Sequence, residues 1–479
     1  MKRTSRTLDR RGRYAARELR WSSARKRRWL VVVKLALFAI GAALASLPFQ
    51  VDDRQPPAEQ RAPAAARPPT PAHIDVRVTL DRTRAEGVSQ MAVGATHVQH
   101  SLDPWGDQAA VERGRALLQQ AAVYQNQHIM GFGAPNPEPS PGEYDWSGLD
   151  QRVQLMRDTG GIPTITLCCA PDWMKGGDAG ATDWSTLEEA PLPRHYDDFA
   201  ELARQVALRY PDVRHYLVWN EMKGFWNPER NNWDYVAYTK LYNRVYDALK
   251  SVDRQIKVGG PYLVIEGTGT GSGEWWSMRP IVDRNREVLQ YWLDHKHGAD
   301  FLVVDRAVKG PHDTNDYTAA KYLSLTPLFG DVTRQLRSIS HLPIWWAESY
   351  FASDAENRAF EAAGLASMLY HQLKAGAAVS LRWAPQVQPD GDTGQNLFTD
   401  TLVAGGGQPL PAFYVYQAFR DHFGPGTRLY HAPSSSRDVE ALASATKVLL
   451  INKRPTPLTV GLGDTAVELK GYEVRVLSL

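Results

Sequence analysis

Two glutamates at the ends of apolar strands carry the chemistry that this sequence most directly indicates. Residues 215–221 read HYLVWNE, a short apolar run that ends in Asn220 and Glu221. Residues 342–351 read LPIWWAESYF, a second such run with Glu348 near its end. A buried strand gains no stability from an ionisable end, so these positions suggest chemistry rather than packing. Paired carboxylates can divide catalysis between them, one donating a proton while the other attacks carbon.

Aromatic side chains surround these strand ends and suggest what the carboxylates act on. Sugars present apolar C–H faces that stack on aromatic rings, and cleavage of a glycosidic bond uses two carboxyl groups. We therefore expect glycoside hydrolysis. The candidate substrate-binding residues are Asn220, His97, Trp105, Trp173, Trp226, Trp346, Tyr350 and Trp383, and further indoles near strand ends are Trp219, Trp275 and Trp276.

Strand-like apolar runs alternate with amphipathic helical stretches through most of the chain, which predicts a (β/α)8 TIM barrel over residues 91–424. In this fold the chemistry lies where strands end, and strands four and seven, which carry the two glutamates, face each other across one mouth. A doubly wound sheet is the alternative, but no Gly-x-Gly-x-x-Gly turn follows the first strand. The eight strand candidates are 91–98, 128–134, 162–171, 215–221, 256–264, 300–308, 342–351 and 377–385, and helix candidates include 197–210, 233–252, 280–297 and 354–375.

The two ends of the folded region are strand-like without helical spacing. Residues 425–479 contain short apolar runs separated by turn residues, which predicts a small C-terminal antiparallel β domain. Residues 74–90 begin with IDVRVTL, an alternating strand pattern. We expect this N-terminal strand to complete the C-terminal β domain.

The first 73 residues have a different composition from the rest. Residues 1–28 form a basic tail, and residues 29–49 are apolar except for Lys34, long enough at about 1.5 Å per residue to cross a bilayer of roughly 30 Å. Residues 50–73 form a Pro- and Ala-rich linker. The pattern predicts a transmembrane signal anchor in the cell membrane with a cytoplasmic N-terminus and an extracytoplasmic body. The alternative is secretion after cleavage near Ala45.

The overall composition excludes several classes of function. The chain has 479 residues with 43% hydrophobic and 23% charged residues, which are ordinary globular values. Its net charge of +2 depends on the basic tail, so the mildly acidic body offers no surface for nucleic acid.

His97 and His100 lack further metal ligands nearby, and we predict no metal, no cofactor and no obligate protein partner. Cys168 and Cys169 are adjacent, and we expect two small apolar residues on a buried strand, with a vicinal disulfide outside the cell as the alternative.

Several short motifs occur in an order that resembles glycoside hydrolase family 39, within clan A of the retaining glycosidases. This family includes β-xylosidases, α-L-iduronidases and bacterial exopolysaccharide hydrolases, and the similarity covers residues 93–383. The residues that carry it are Tyr144-x-Trp146 with Leu149-Asp150, then Pro171-Asp172-Trp173-Met174, Trp219-Asn220-Glu221 and Trp346-Ala347-Glu348.

The resemblance implies roles for the strand-end residues. Glu221 would be the acid/base and Glu348 the nucleophile of a retaining mechanism, with Asn220 binding the hydroxyl next to the anomeric carbon. We expect Glu348 to be ionised at rest and Glu221 to be protonated, because a nearby negative charge raises its pKa. In the family we expect a His-x-Tyr-like element after strand six. This chain departs from that pattern, because His312 and Tyr317 occur there at a different spacing.

Two other functions compete with this hypothesis. A non-catalytic carbohydrate-binding barrel would need neither carboxylate, so the presence of Glu221, Glu348 and Asn220 favours an enzyme. A different clan A endo-glycanase would share all three residues. We therefore predict a retaining glycosidase acting on a cell-surface or secreted polysaccharide or oligosaccharide.

Overall fold

The computed structural model describes residues 73–265, 280–308, 317–352, 354, 356–389 and 394–479. These residues lie in one unit of the chain, Thr70–Leu479. Numbered in chain order, the strands are β1 (Val76–Val78), β2 (Asp81–Val88), β3 (Ala92–Thr96), β4 (Tyr124–His128), β5 (Ile162–Leu167), β6 (His215–Val218), β7 (Trp226–Asn227), β8 (Asn232–Trp233), β9 (Lys257–Val264), β10 (Phe301–Ala307), β11 (Ile344–Tyr350), β12 (Val379–Trp383), β13 (Arg428–His431), β14 (Val439–Ala443), β15 (Lys447–Asn452), β16 (Leu458–Leu462), β17 (Thr465–Leu469) and β18 (Val474–Ser478). The α-helices are α1 (Gln108–Ala121), α2 (Ser147–Asp158), α3 (Tyr196–Arg209), α4 (Tyr235–Val252), α5 (Asp283–His295), α6 (Ala319–Leu325), α7 (Pro327–Ile339), α8 (Arg358–Ala375) and α9 (Pro411–Phe423).

Eight parallel strands close into a barrel. Their order is β3-β4-β5-β6-β9-β10-β11-β12, and β12 pairs back onto β3. At least one helix follows each strand, because a parallel neighbour can be reached only through a crossover connection. The predicted (β/α)8 barrel is confirmed, and Glu221 and Glu348 follow or lie on its fourth and seventh strands.

The second barrel strand lies before the position that the sequence pattern predicted. We expected it at residues 128–134, whereas β4 has the polar sequence YQNQH. Its Asn126 is buried inside the barrel, where its amide donates to Thr96 Oγ1 at 3.1 Å and accepts from Thr166 Oγ1 at 3.0 Å. In this strand, polar side chains that hydrogen-bond to one another occupy the positions where apolar residues would be expected. A search for apolar runs therefore misses it.

The helix predictions agree with the structure to within a few residues. Predicted segment 233–252 became α4, which begins after Asp234, whose side chain accepts from the Ala237 N–H at 3.0 Å. Predicted segment 354–375 became α8, which ends at Gly376 in the left-handed conformation with φ 86°. Capping carboxylates and a C-terminal glycine are strong local signals, which explains the agreement.

The C-terminal β domain contains both ends of the described chain. It consists of a sheet ordered β18-β15-β14-β13-β2 and a sheet ordered β1-β16-β17. The expected N-terminal strand does complete it, with Val76 opposite Val460. The β1–β16 pairing is parallel, and the other pairings in the two sheets are antiparallel.

The predicted transmembrane anchor needs correction. Residues 29–49 lie outside the part of the chain that the structure describes. Within the described part, no helix combines the length and apolar character needed to cross a bilayer. The finding goes against the membrane-spanning helix expected from the sequence.

An aromatic cluster fills the end of the barrel where the strands begin. The ring of Trp345 lies 4.2 Å from that of Phe301, 4.9 Å from that of Tyr124 and 5.4 Å from that of His215. Buried aromatic rings at this spacing form a packed core rather than a pore. The opposite end of the barrel, where the strands finish, is left for polar side chains.

Trp346 belongs to the helix layer and not to the mouth, so its assignment as a substrate-binding residue is wrong. Strand alternation turns it outward, where it is fully buried against Phe329 of α7 and donates to Thr333 Oγ1 at 3.1 Å.

We expect Trp346→Ala to lower the free energy of unfolding by about 3–5 kcal/mol, because it leaves a large cavity between β11 and α7. Trp226→Ala, at a residue 47% exposed, should cost about 1 kcal/mol or less. Denaturant unfolding of the two variants beside wild type measures both values. Equal losses would contradict this placement of Trp346.

Candidate active site

Three carboxyl groups meet at the mouth of the barrel. Glu221 follows β6, Asp305 lies on β10 and Glu348 lies on β11, and oxygens of all three lie within 4.8 Å of one another. Asp305 is 2% exposed and Glu348 is 4% exposed, whereas the Glu221 side chain is 19% exposed. The structure therefore brings together the two predicted glutamates and a third acid that the sequence analysis did not single out.

A β-bulge turns Glu348 into the barrel. Along β11, Trp345 and Ala347 face the interior and Trp346 faces the helices. Strict alternation would send Glu348 outward as well. The pairing with β10 instead passes from Val304 opposite Trp346 directly to Asp305 opposite Glu348, so one extra residue is inserted in β11. The bulge places two acids side by side at the mouth.

A second bulge positions a tyrosine that binds Glu348. In the β9–β10 pairing, Val303 lies opposite Pro261 and Val304 opposite Leu263, which leaves Tyr262 as the extra residue with φ 51°. Its buried hydroxyl donates to Glu348 Oε1 at 2.7 Å. The Tyr350 hydroxyl donates to Oε2. Both oxygens of Glu348 are thereby held by phenol groups.

The turn after β6 presents Glu221. Trp219, Glu221 and Met222 all have positive φ, at 69°, 51° and 51°, a conformation that costs energy in residues other than glycine. Trp219 holds the turn from the outside. It is fully buried against Phe199 of α3, and its indole donates to the Lys223 carbonyl at 2.7 Å. Trp219 is thus a structural support and does not line the mouth.

Lys223 pairs with Glu221. Its Nζ lies 2.9 Å from Glu221 Oε2 and also contacts the carboxylate of Glu188. Burial lowers the pKa of Lys223, but the charges of Glu221 and Glu188 outweigh it and raise the pKa above the usual range. A permanent cation therefore lies against one of the candidate catalytic glutamates.

The ionisation order differs from the one we expected. Burial, followed by the negative charge of Glu221, raises the pKa of Glu348 to about 7. Burial also acts to raise the pKa of Glu221, but hydrogen bonding to Asp305 and the charge of Lys223 outweigh it and lower that pKa. Burial, followed by the charge of Glu221, raises the pKa of Asp305 well above normal. Glu221 is therefore the most readily ionised of the three acids, contrary to the sequence-based expectation.

Other predicted residues lie beside these acids. Asn220 is 1% exposed and contacts His128. Trp383 is half-buried, with its ring 5.6 Å from that of His128 and 5.1 Å from that of Phe132. Tyr350 contacts Glu348 directly. Tyr350 thus contacts one of the three acids, whereas Asn220 and Trp383 both lie against His128.

His97 does not reach the mouth, and its assignment as a substrate-binding residue is wrong. It is fully buried, and its Nε2 lies 3.0 Å from Gln125 Oε1, which also accepts from Thr159 after α2. Burial, then the positive charge of Arg152, lowers the pKa of His97 to about 4, so it is neutral. It packs between the barrel and α2.

The remaining predicted tryptophans lie on loops that follow barrel strands. Trp105 is 67% exposed and Trp226 is 47% exposed. Trp173 is half-buried and donates to the Glu138 carbonyl at 2.9 Å. The sequence analysis missed Trp184, which is 51% exposed in a loop between β5 and α3. Trp275, Trp276 and His312 lie outside the described residues.

The sequence contained a signal for two of the missed residues. Asp305 interrupts the apolar run FLVVDRAV, and a lone acid in a buried strand is costly unless it has a task. Lys223 lies two residues after Glu221. No comparable signal marks Tyr262, because its place depends on a bulge. Cys168 and Cys169, expected as thiols, form a disulfide at the end of β5.

We expect Tyr262→Phe to raise the pKa of Glu348 above its value of about 7, because it removes a hydrogen bond that favours the ionised form. Carbon-13 NMR titration of glutamate-labelled protein measures this pKa. Tyr238→Phe is the matched control, since Tyr238 is also buried but donates to the Val218 carbonyl. A downward shift, or an equal shift in both variants, would contradict the geometry.

Known proteins match this chain in structure but not in sequence. No protein-family model matches the sequence. No curated protein matches it either. Among solved structures, a monomeric β-xylosidase from Caulobacter crescentus CB15 has a TM-score of 0.53 at 16% identity, over 84% of this chain and 97% of that chain.

Two further structures give the same picture. A family 39 β-xylosidase from Caulobacter crescentus has a TM-score of 0.52 at 18% identity, over 81% of this chain and 83% of that one. The catalytic domain of a family 30 xylanase C from Talaromyces cellulolyticus has a TM-score of 0.51 at 12% identity, over 84% and 97% of the two chains. At these identities the likeness concerns the fold alone, which this chain shares with the three structures.

Proposed function

We propose that this protein is a retaining glycoside hydrolase that acts on a polysaccharide or oligosaccharide, with Glu348 as nucleophile and Glu221 as acid/base. The observation that carries the proposal is the approach of these carboxylates to within 4.8 Å at the ends of opposed barrel strands. Retaining enzymes hold their two carboxyl groups about 5–5.5 Å apart, whereas inverting enzymes need about 6.5–9.5 Å. The spacing leaves no room for a water molecule between nucleophile and sugar.

The reaction has two steps. In the first, Glu348 attacks the anomeric carbon and the glycosidic C–O bond breaks, while Glu221 passes a proton to the departing oxygen. In the second, Glu221 takes a proton from water as that water attacks the same carbon and frees Glu348. Two inversions at one carbon give net retention of configuration.

The groups around Glu348 suit a nucleophile. The hydroxyls of Tyr262 and Tyr350 hold both of its oxygens in one orientation, which favours attack along a defined line. Both hydrogen bonds also lower the pKa of Glu348 against the effect of burial. Because the pKa remains about 7, we expect the ionised, reactive form to increase as pH rises through neutrality.

The surroundings of the mouth support a saccharide substrate. Exposed Trp105, Trp184 and Trp226 offer ring faces to sugar C–H groups from loops on the same end of the barrel. From the resemblance of the Trp219-Asn220-Glu221 motif, we infer that Asn220 binds the hydroxyl beside the reacting carbon. We further infer membership of family 39 from the motif order, and an extracytoplasmic location, which the Cys168–Cys169 disulfide supports because disulfides persist in oxidising compartments.

One observation favours the competing function of a carbohydrate-binding barrel without turnover. Lys223 ion-pairs with Glu221, and an ionised glutamate cannot donate a proton. An enzyme with this arrangement needs another source for that proton. The binding hypothesis needs none.

Turnover of aryl glycosides and bacterial polysaccharides tests the proposal. We expect hydrolysis by wild type, a loss of about 10²-fold or more in both Glu348→Ala and Glu221→Gln, and retention of the product anomer by NMR. The matched control is Glu112→Gln on the exposed face of α1, which should match wild type. Absence of turnover by wild type, with saccharide binding that survives both substitutions, would instead support the binding protein.

A further inference from the structure

Asp305 is a third carboxyl group in a site whose reaction needs two. It lies 98% buried at the end of β10, directly opposite Glu348 in the strand pairing. Oxygens of its carboxyl group and of those of Glu221 and Glu348 lie within 4.8 Å of one another. Ionised carboxylates only accept hydrogen bonds and repel one another, so buried carboxyl groups this close together favour retention of a proton among them. The resting site therefore contains a shared proton.

The surroundings decide which acid holds that proton. Lys223 Nζ lies 2.9 Å from Glu221 Oε2, so negative charge is stabilised on Glu221. Asp305 lies deeper, and its Oδ1 has no hydrogen-bond partner among the described residues. The charged or titratable groups that face Asp305 are Glu221 and Lys223 after β6, Tyr262 on β9 and Glu348 on β11. Burial and the two negative glutamates keep the proton on Asp305, which its raised pKa also indicates.

We infer that Asp305 is the resting proton carrier of the site and supplies, through Glu221, the proton that the leaving oxygen receives. This inference rests on the proposed glycosidase function. In the first step the O–H bond of Asp305 breaks, its proton passes to Glu221, and a proton leaves Glu221 for the glycosidic oxygen. In the second step the proton that water releases returns through Glu221 to Asp305.

The net charge of the three acids is the same before and after the first step, which supports this relay. At rest, Glu221 and Glu348 are negative and Asp305 is neutral. When Glu348 forms its bond to the sugar it loses its charge, and Asp305 becomes negative in the same step. The cluster thus carries the same net charge beside Lys223 in both states. A low-dielectric site favours such a path, because no uncompensated charge is created.

A divalent cation is the other way to neutralise three acids, and the spacing alone would permit one. The contacts of the three acids favour a proton. Lys223 already supplies a positive charge to Glu221, and phenol donors occupy both oxygens of Glu348. A cation bound here would have to displace Lys223, Tyr262 and Tyr350 from the carboxylate oxygens that would become its ligands.

The first experiment compares wild type with Asp305→Asn on aryl glycosides whose leaving phenols differ in acidity. Poor leaving groups need a proton and good ones do not. We expect Asp305→Asn to lower kcat/KM about 10²- to 10³-fold on the poor leaving group and less than about 10-fold on the good one, with the product anomer unchanged. The control is Asp438→Asn, at an exposed residue of the β domain, which should match wild type on both. Equal losses on both substrates, or none, would overturn the relay.

The second experiment observes the proton without turnover, which separates this inference from the proposed function. At about pH 8 Glu348 is mainly ionised. We expect the infrared spectra of wild type and of Asp438→Asn at this pH to show the carbonyl band of a protonated carboxyl group. The band should be absent in Asp305→Asn. Its persistence in that variant would overturn the inference.

Addition of Ca²⁺ or Mg²⁺ completes the test. We expect neither ion to remove the infrared band or to raise the melting temperature of wild type. Loss of the band together with a rise in melting temperature that requires Asp305 would overturn the inference in favour of a cation site. If wild type shows the band but hydrolyses no glycoside, the resting proton on Asp305 is supported, whereas the relay and the proposed glycosidase function both fail.

Discussion

The repulsion among three buried carboxyl groups is the constraint on which the rest of the site depends. Two unit charges about 4 Å apart repel by about 4 kcal/mol at the effective dielectric of a protein surface, and more in the interior. Glu221, Asp305 and Glu348 cannot all ionise at that cost. Three features reduce this repulsion. Lys223 lies against Glu221, two phenol hydroxyls donate to Glu348, and Asp305 holds a proton. These compensations give each acid a different chemical character.

Irregular backbone makes this proximity possible. A regular barrel would turn Glu348 outward and would leave Tyr262 out of reach. The bulges in β9 and β11 bring both side chains to the centre, and the turn of positive φ angles after β6 presents Glu221 from the opposite side. Each strained residue costs on the order of 1–3 kcal/mol, and packing of the buried Trp219 beneath the turn offsets part of that cost.

The tryptophans illustrate how little residue type alone says about position. Trp346 and Trp219 each lie two residues before a candidate catalytic glutamate but pack against helices. The bulge in β11 and the turn after β6 point the tryptophan and the glutamate in different directions. Trp226 and Trp105 lie in loops and remain exposed. His97 directly follows β3 and is buried against Gln125, away from the mouth. Residues two apart in a regular strand share a face, so a bulge or a turn decides which of them lines the mouth.

The sequence by itself determined the barrel, most helix bounds, the C-terminal β domain and the two glutamates, because these follow from periodicity, capping residues and polar ends of apolar runs. It did not locate β4, whose buried polar side chains satisfy one another across strands. Only the tertiary structure placed Asp305, Lys223 and Tyr262 against the glutamates. It also reversed the expected ionisation order, because a pKa depends on burial and on charges from distant parts of the chain, which local sequence does not contain.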